Sequence, residues 1–243
     1  MASTLPPSQL ERRRPSLTAR WSNLILLTYP VPEGLVRQWL PRDVEPDLVE
    51  GHAQVSLIAF DFLDTRVRGR RIPGFVDFPE INFRTYVRQG DRRGVVVLRE
   101  LVPSPLAAAV GRLRFNEPFR SAPMESRTAS LGDELVVEHR WRWKEGRHFV
   151  RVTADQSFDP APSDGPVQDL LGRRWAFGQT RHGEPMVVRV EHPPWALRRV
   201  RTVDFEVDFG ALYGPEWADL NQRQPASTHL AVGSAVSIFP PGR

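Results

Sequence analysis

A chain of 243 residues with 40% hydrophobic and 26% charged residues can bury a sizeable core, and all-β barrels of this length form single domains. It has no cysteine, which excludes disulfides, thiol nucleophiles and thiolate metal sites together. The net charge of +4 rests on 33 basic residues, of which Lys144 is the only lysine; the arginines are interleaved with acids and do not form the stripe of a nucleic-acid binder, so no nucleic-acid partner is expected.

Residues 1–18 are polar and proline-containing, which predicts a flexible arm, and they lack the apolar stretch of a signal peptide. Residues 19–243 read as one domain. The apolar run 21–29, ended by Pro30 and Pro32, predicts the first strand, and Pro32 opens a short helix to Leu40. Strands follow at 52–63, 80–88 and 94–102. Ser104-Pro105 reads as an N-cap and first turn of a helix to about Leu113.

A hairpin follows at 135–143 and 148–155, turning at Glu145-Gly146, with His148 expected near Trp143 and away from His139. A second short helix is predicted over 167–173, then strands at 186–192, 200–209 and 229–239. The 23 prolines and 17 glycines supply the turns. The expected fold is mainly β with short helices, closed into a barrel or wrapped double sheet that hides its edges around a cavity. No apolar run approaches the roughly 20 residues that span a bilayer, so no membrane partner and a cytoplasmic location are expected.

The strand at 80–88 carries the clearest functional signal. Side chains alternate, so Glu80, Asn82, Arg84 and Tyr86 share one side, while Ile81, Phe83 and Val87 share the other. That row is either an ordinary solvent face or a polar wall inside a cavity, where an acid, an amide and a guanidinium converge on a ligand. The segment Phe115-Asn116-Glu117-Pro118-Phe119 is either a simple turn or a cavity mouth bearing Asn116 and Glu117. The six histidines include neither His-x-His nor HExxH, so no metal is expected. The G-x-S-x-G, G-x-G-x-x-G and P-loop motifs are absent, so no cofactor is expected either.

The strings Tyr29-Pro30-Val31-Pro32, Leu40-Pro41, Gly51-x-Ala53-x-Val55-Ser56-Leu57, Phe78-Pro79-Glu80-x-Asn82-x-Arg84-Thr85-Tyr86-Val87 and His192-Pro193-Pro194-Trp195-Ala196-Leu197 occur in this order. In these strings the chain resembles the uncharacterised YqjF-like domain family, which is related to acetoacetate decarboxylase. The resemblance implies an acetoacetate-decarboxylase-like closed double-sheet barrel around an internal cavity. It implies that Glu80 matches a cavity glutamate, that Ser56 stands near the place of a second one, and that 115–119 occupies the place of the catalytic lysine pair. The latter segment has no lysine, and Lys144 is expected at a solvated hairpin tip. Arginine is no amine nucleophile, so Schiff-base decarboxylation is excluded.

Three functions remain open. The first is a binder of a small carboxylate-containing molecule, its pocket lined by Asn82, Arg84, Tyr86, Ser56, Asn116 and Glu117. The second is a lyase- or isomerase-type enzyme with Glu80 as catalytic general acid/base on a keto acid. The third is a structural or homo-oligomeric interaction protein.

Overall fold

The computed structural model describes residues 14–115, 118–162, 164–180 and 182–242. Most of the expected arm lies outside the described residues; the first strand begins at Leu17, just inside the arm's expected limit. The chain runs β1 (Leu17–Val31), α1 (Glu33–Arg37), β2 (Glu45–Pro46), β3 (Ala53–Val67), β4 (Phe78–Gln89) and β5 (Arg92–Val102). Then come α2 (Pro105–Phe115), β6 (Phe119–Ser121), β7 (Met124–Leu131), β8 (Glu134–Trp143) and β9 (Gly146–Asp155). The remainder is α3 (Gly165–Leu171), β10 (Trp175–Gln179), β11 (Pro185–Glu191), β12 (Leu197–Arg198), β13 (Val200–Glu206), α4 (Phe209–Tyr213), a 3₁₀ turn (Pro215–Gln222) and β14 (Ser227–Ile238).

The large sheet closes on itself. Strand β4 pairs β3, β3 pairs β1, and the circuit continues through β14, β11, β10 and β5 back to β4. The join of β10 to β5 is parallel and short, with Trp175 opposite Gly94. Glycine is required there, because a Cβ on residue 94 would stand 2.3 Å from the Trp175 carbonyl oxygen. A second antiparallel sheet, β13-β9-β8-β7, covers one flank of the ring.

This arrangement makes two cores and explains the near-continuous apolar runs of β1 and β3, which are buried on both faces. Leu24, Leu26, Ile58, Phe60 and Phe62 pack inside the ring. Their strand neighbours Ile25, Leu27, Val55, Leu57 and Ala59 pack outward, against the second sheet and the aromatic cluster of Phe83, Phe209, Tyr213 and Trp217. A bulge between Ser22 and Ile25, with Asn23 at φ 51°, switches the inward parity of β1. Leu17 and Ala19 point in before it, Leu24 and Leu26 after it.

Several expected details change. The turn between β8 and β9 is Lys144-Glu145, with Lys144 at φ 53°, so His148 faces Trp141 and not Trp143, and His139 faces Val150. The strand expected to run to residue 209 ends at Glu206, because Asp208 caps α4 by accepting the Ala211 amide at 2.9 Å. Strands β2, β6, β7, β10 and β12 are too short, or too polar, to be read from periodicity.

Candidate functional site

The ring encloses a cavity of about 110 Å³. Strand β4 supplies its polar wall: Phe78, Glu80, Asn82 and Arg84 line it in alternation. Glu80 is 3% exposed and Asn82 7%, while Ile81 and Phe83 on the other face are equally buried. The polar row therefore does not face solvent. It looks into the ring.

A second carboxylate enters from β5. Register between β4 and β5 shifts between Phe83 and Arg84, so Phe83 pairs Arg99, Arg84 pairs Val97, and Leu98 is the extra residue. Val95 and Val97 line the cavity before the bulge and Glu100 lines it after. Glu100 lies directly across from Asn82 in the ladder. Arg99 is turned instead toward the Trp143 and Tyr213 rings of the other core. The Asn82 amide donates to Glu80 Oε1 at 3.4 Å, and its own Oδ1 has no partner among the described residues.

The cationic groups gather farther along. Arg84 Nη2 donates to the Leu170 carbonyl at 3.3 Å at the end of α3, and its buried Nε is without a partner. Among the described residues it has no ion pair. Arg173, whose side chain is 5% exposed, also lines the cavity and is held by Asp47 at 2.7 Å. Both guanidinium groups lie against the Tyr86 ring, at 5.4 and 5.5 Å from its centroid. Arg93 bridges Asp47 and Asp169, each at 2.8 Å, and so ties α3 over this end.

His192, in the segment after β11, completes the lining. Its ring stacks on Trp195 with centroids 4.0 Å apart and planes 12° from parallel. Nδ1 lies 2.9 Å from the Pro193 carbonyl, which makes Nδ1 the protonated nitrogen and leaves the lone pair on Nε2. Burial lowers the imidazole pKa; the Pro193 contact opposes this, and the positive charges of Arg84 and Arg174 add to it. The neutral ring is the form present at pH 7.

Of the residues named from the sequence, Glu80, Asn82 and Arg84 come together. Ser56 and Tyr86 are not in the cavity lining. Their hydroxyls meet at 2.8 Å, and Ser56 is also 2.8 Å from Thr28 Oγ1, a buried polar chain on the same face of the sheet beyond Arg84. The carboxylates of the lining are those of Glu80 and Glu100 among the described residues. Asn116 and Glu117 lie outside the described residues. Lys144 sits exposed in the β8–β9 turn on the second sheet. Glu100, Arg173 and His192 went unnamed at the sequence level. A bulge hides the first, the second reads as a helix end, and the third belongs to no motif of a catalytic or metal-binding histidine.

Among the described residues, no group of three histidine or acidic side chains could share a metal ion, and no helix is long and apolar enough to cross a membrane.

Comparison with known proteins fits this geometry. The sequence signature of a family designated DUF2071, described as an uncharacterized conserved protein, matches residues 18–235. The uncharacterized protein YqjF of Bacillus subtilis (strain 168) is 27% identical over 180 residues, 73% of this chain and 73% of its own length. An acetoacetate decarboxylase-like enzyme from Sphingomonas wittichii RW1 superposes with a TM-score of 0.64 at 14% identity, over 100% of this chain and 98% of that one. The enduracididine biosynthesis enzyme MppR, complexed with pyruvate, superposes with a TM-score of 0.59 at 15% identity, over 98% and 94% of the two chains. At such identities the likeness establishes an acetoacetate decarboxylase-like fold.

Proposed function

This chain belongs to the DUF2071 family, and we propose that its cavity binds a small carboxylic acid anchored by Arg84. One observation carries the reading: the Arg84 guanidinium, which has no carboxylate partner among the described residues, lines the ring's cavity. Desolvating such a charge is costly unless a ligand completes it, and a carboxylate can accept two parallel hydrogen bonds from it. Size supports a ligand of about six non-hydrogen atoms, because an engineered cavity of ~150 Å³ takes up benzene and this one measures about 110 Å³. Pyruvate, the ligand in the MppR complex, is of this size and class. Schiff-base chemistry is no part of the proposal, since the single lysine lies on the second sheet.

Thermal-shift titration with acetate, pyruvate, 2-oxobutanoate and related acids tests the anchor. At a hundredfold excess over Kd a bound acid adds about 2.7 kcal/mol, which for a domain of this size raises Tm by about 5–10 °C. Arg84→Ala is expected to remove the shift. A shift that survives in Arg84→Ala, or no shift with any acid of the panel, overturns the reading.

A second reading gives Glu80 the role of general acid/base on a keto acid. Its place favours this: it is 3% exposed, in the same cavity as Arg84 and two residues along the same strand. Deuterium exchange into the acid that is lost in Glu80→Gln is the expected result.

A further inference from the structure

We propose that the cavity catalyses proton exchange at the carbon next to the carbonyl of a bound 2-oxo acid, and that His192 Nε2 is the base. The proposal rests on the acid-binding reading and adds to it a reaction and a residue.

Three features of His192 lead there. Its tautomer is set, because the Pro193 carbonyl lies 2.9 Å from Nδ1 and so takes that N–H, leaving Nε2 as an acceptor. Among the described residues no protein group hydrogen-bonds Nε2. The ring is also held in place by its stack on Trp195, with the Trp21 ring 6.2 Å away on the same wall. A base whose orientation is fixed by packing loses little freedom when it meets a substrate. Finally, His192 shares the cavity with the anchor: both side chains line the same space. A 2-oxo acid whose carboxylate rests on Arg84 has its carbonyl one bond and its acidic C–H two bonds from the carboxylate carbon, in the space that His192 also lines.

Glu80 fits the proton-removing role less well, because the Asn82 amide donates to its Oε1.

The step balances without a co-reactant. Nε2 takes the proton from the carbon, the C–H electron pair becomes the enolate double bond, and the carbonyl oxygen carries the negative charge. Arg173 and the Asn82 amide are the donors in the lining that favour that oxyanion. Return of a proton from imidazolium restores the acid. In D₂O the returned hydrogen is deuterium.

Proton NMR of pyruvate and 2-oxobutanoate in D₂O reads this directly, as loss of the signal at carbon 3. Wild type is expected to exceed the buffer rate, and His192→Gln to lower the enzymatic rate at least about a hundredfold. The thermal shift by the same acid is expected to persist in that variant. Should His192→Gln melt early, His192→Ala is used, with imidazole added. Restored exchange on adding imidazole supports a chemical role that a structural one would not mimic.

Undiminished exchange in His192→Gln overturns the proposal, and loss in Glu80→Gln alone assigns the base to Glu80. A wild type that binds the acid but exchanges no faster than buffer overturns the reaction while leaving the binding site intact. Failure of every acid to bind overturns the underlying reading instead.

Discussion

Replacing His139 by leucine is expected to remove most of the acid sensitivity that this one residue imposes on the fold. His139 lies on β8 in the inward row Leu135, Val137, His139, Trp141, packed between the ring and the second sheet. It is 1% exposed, and neither ring nitrogen has a hydrogen-bond partner among the described residues. Burial pushes its pKa from 6.5 down to about 4, with Glu138 only partly opposing. The unfolded chain therefore takes up a proton below pH 6.5 that the folded chain refuses until about pH 4. Stability is fully present above the unfolded value and falls as pH drops through this window. At about 1.4 kcal/mol per pH unit the loss reaches about 3 kcal/mol at pH 4. Urea unfolding of wild type and His139→Leu at several pH values between 7 and 4 measures it, the variant gaining about 3 kcal/mol relative to wild type across the range. His148, His192, His229 and the carboxylates are common to both proteins and cancel in the difference. A difference that stays flat with pH would refute the reasoning, since it would mean that the folded protein accommodates a charged imidazole at this position.

Two further substitutions test the close approach of β14 to β1 in the ring and the support of its cationic end. Gly233 in β14 has φ 85°, and a Cβ there would stand 2.1 Å from the Trp21 carbonyl oxygen, so Gly233→Ala is expected to cost about 2–5 kcal/mol by urea unfolding. Gly51, with φ 81° and open space around it, is the control and is expected to cost only about 1–2 kcal/mol; equal losses at the two sites would contradict the packing argument. Asp47→Asn leaves the buried Arg173 guanidinium without its counter-charge and is expected to destabilise by about 3–5 kcal/mol, with Arg173→Met in the same chain recovering most of it. No recovery in the double variant would show that Asp47 acts through Arg93 and α3 instead.

Where local pattern decides structure, the sequence is a sufficient guide. The long strands β1, β3, β4, β5 and β14 are built from apolar residues flanked by prolines and glycines, and each lies within a few residues of its expected place. The hairpin β8–β9 was legible too, yet its turn sits one residue earlier because Lys144 takes the positive φ. Strand β7 could not be read, since Met124–Leu131 is an exposed edge whose side chains follow no burial pattern. The closure by β10 was equally silent. Its two parallel pairs with β5 depend on the space left by Gly94, a long-range fit that no local pattern reports.

The candidate site divides in the same way. Alternation along β4 places Glu80, Asn82, Arg84 and Tyr86 on one side, but that periodicity is identical for a strand facing water and one facing a polar cavity. What decides between them is the opposite face: Phe83 packs against Phe209, Tyr213 and Trp217, so the far side is already occupied by a second core and the polar row is sealed inside. Alternation also misleads on β5, where strict period two from Val95 and Val97 would send Arg99 inward and Glu100 outward. The extra residue Leu98 exchanges the two. An arginine placed there by strict alternation would have faced Glu80 and Asn82, leaving Arg84 with nothing to distinguish it as an anchor. The bulge instead concentrates the carboxylates on one stretch of wall and leaves Arg84 and Arg173, among the described residues, as the arginines of the lining from that wall and the α3 end. The asymmetry on which the acid-binding proposal depends thus comes from one inserted residue in a strand pair, and only the paired strands reveal it.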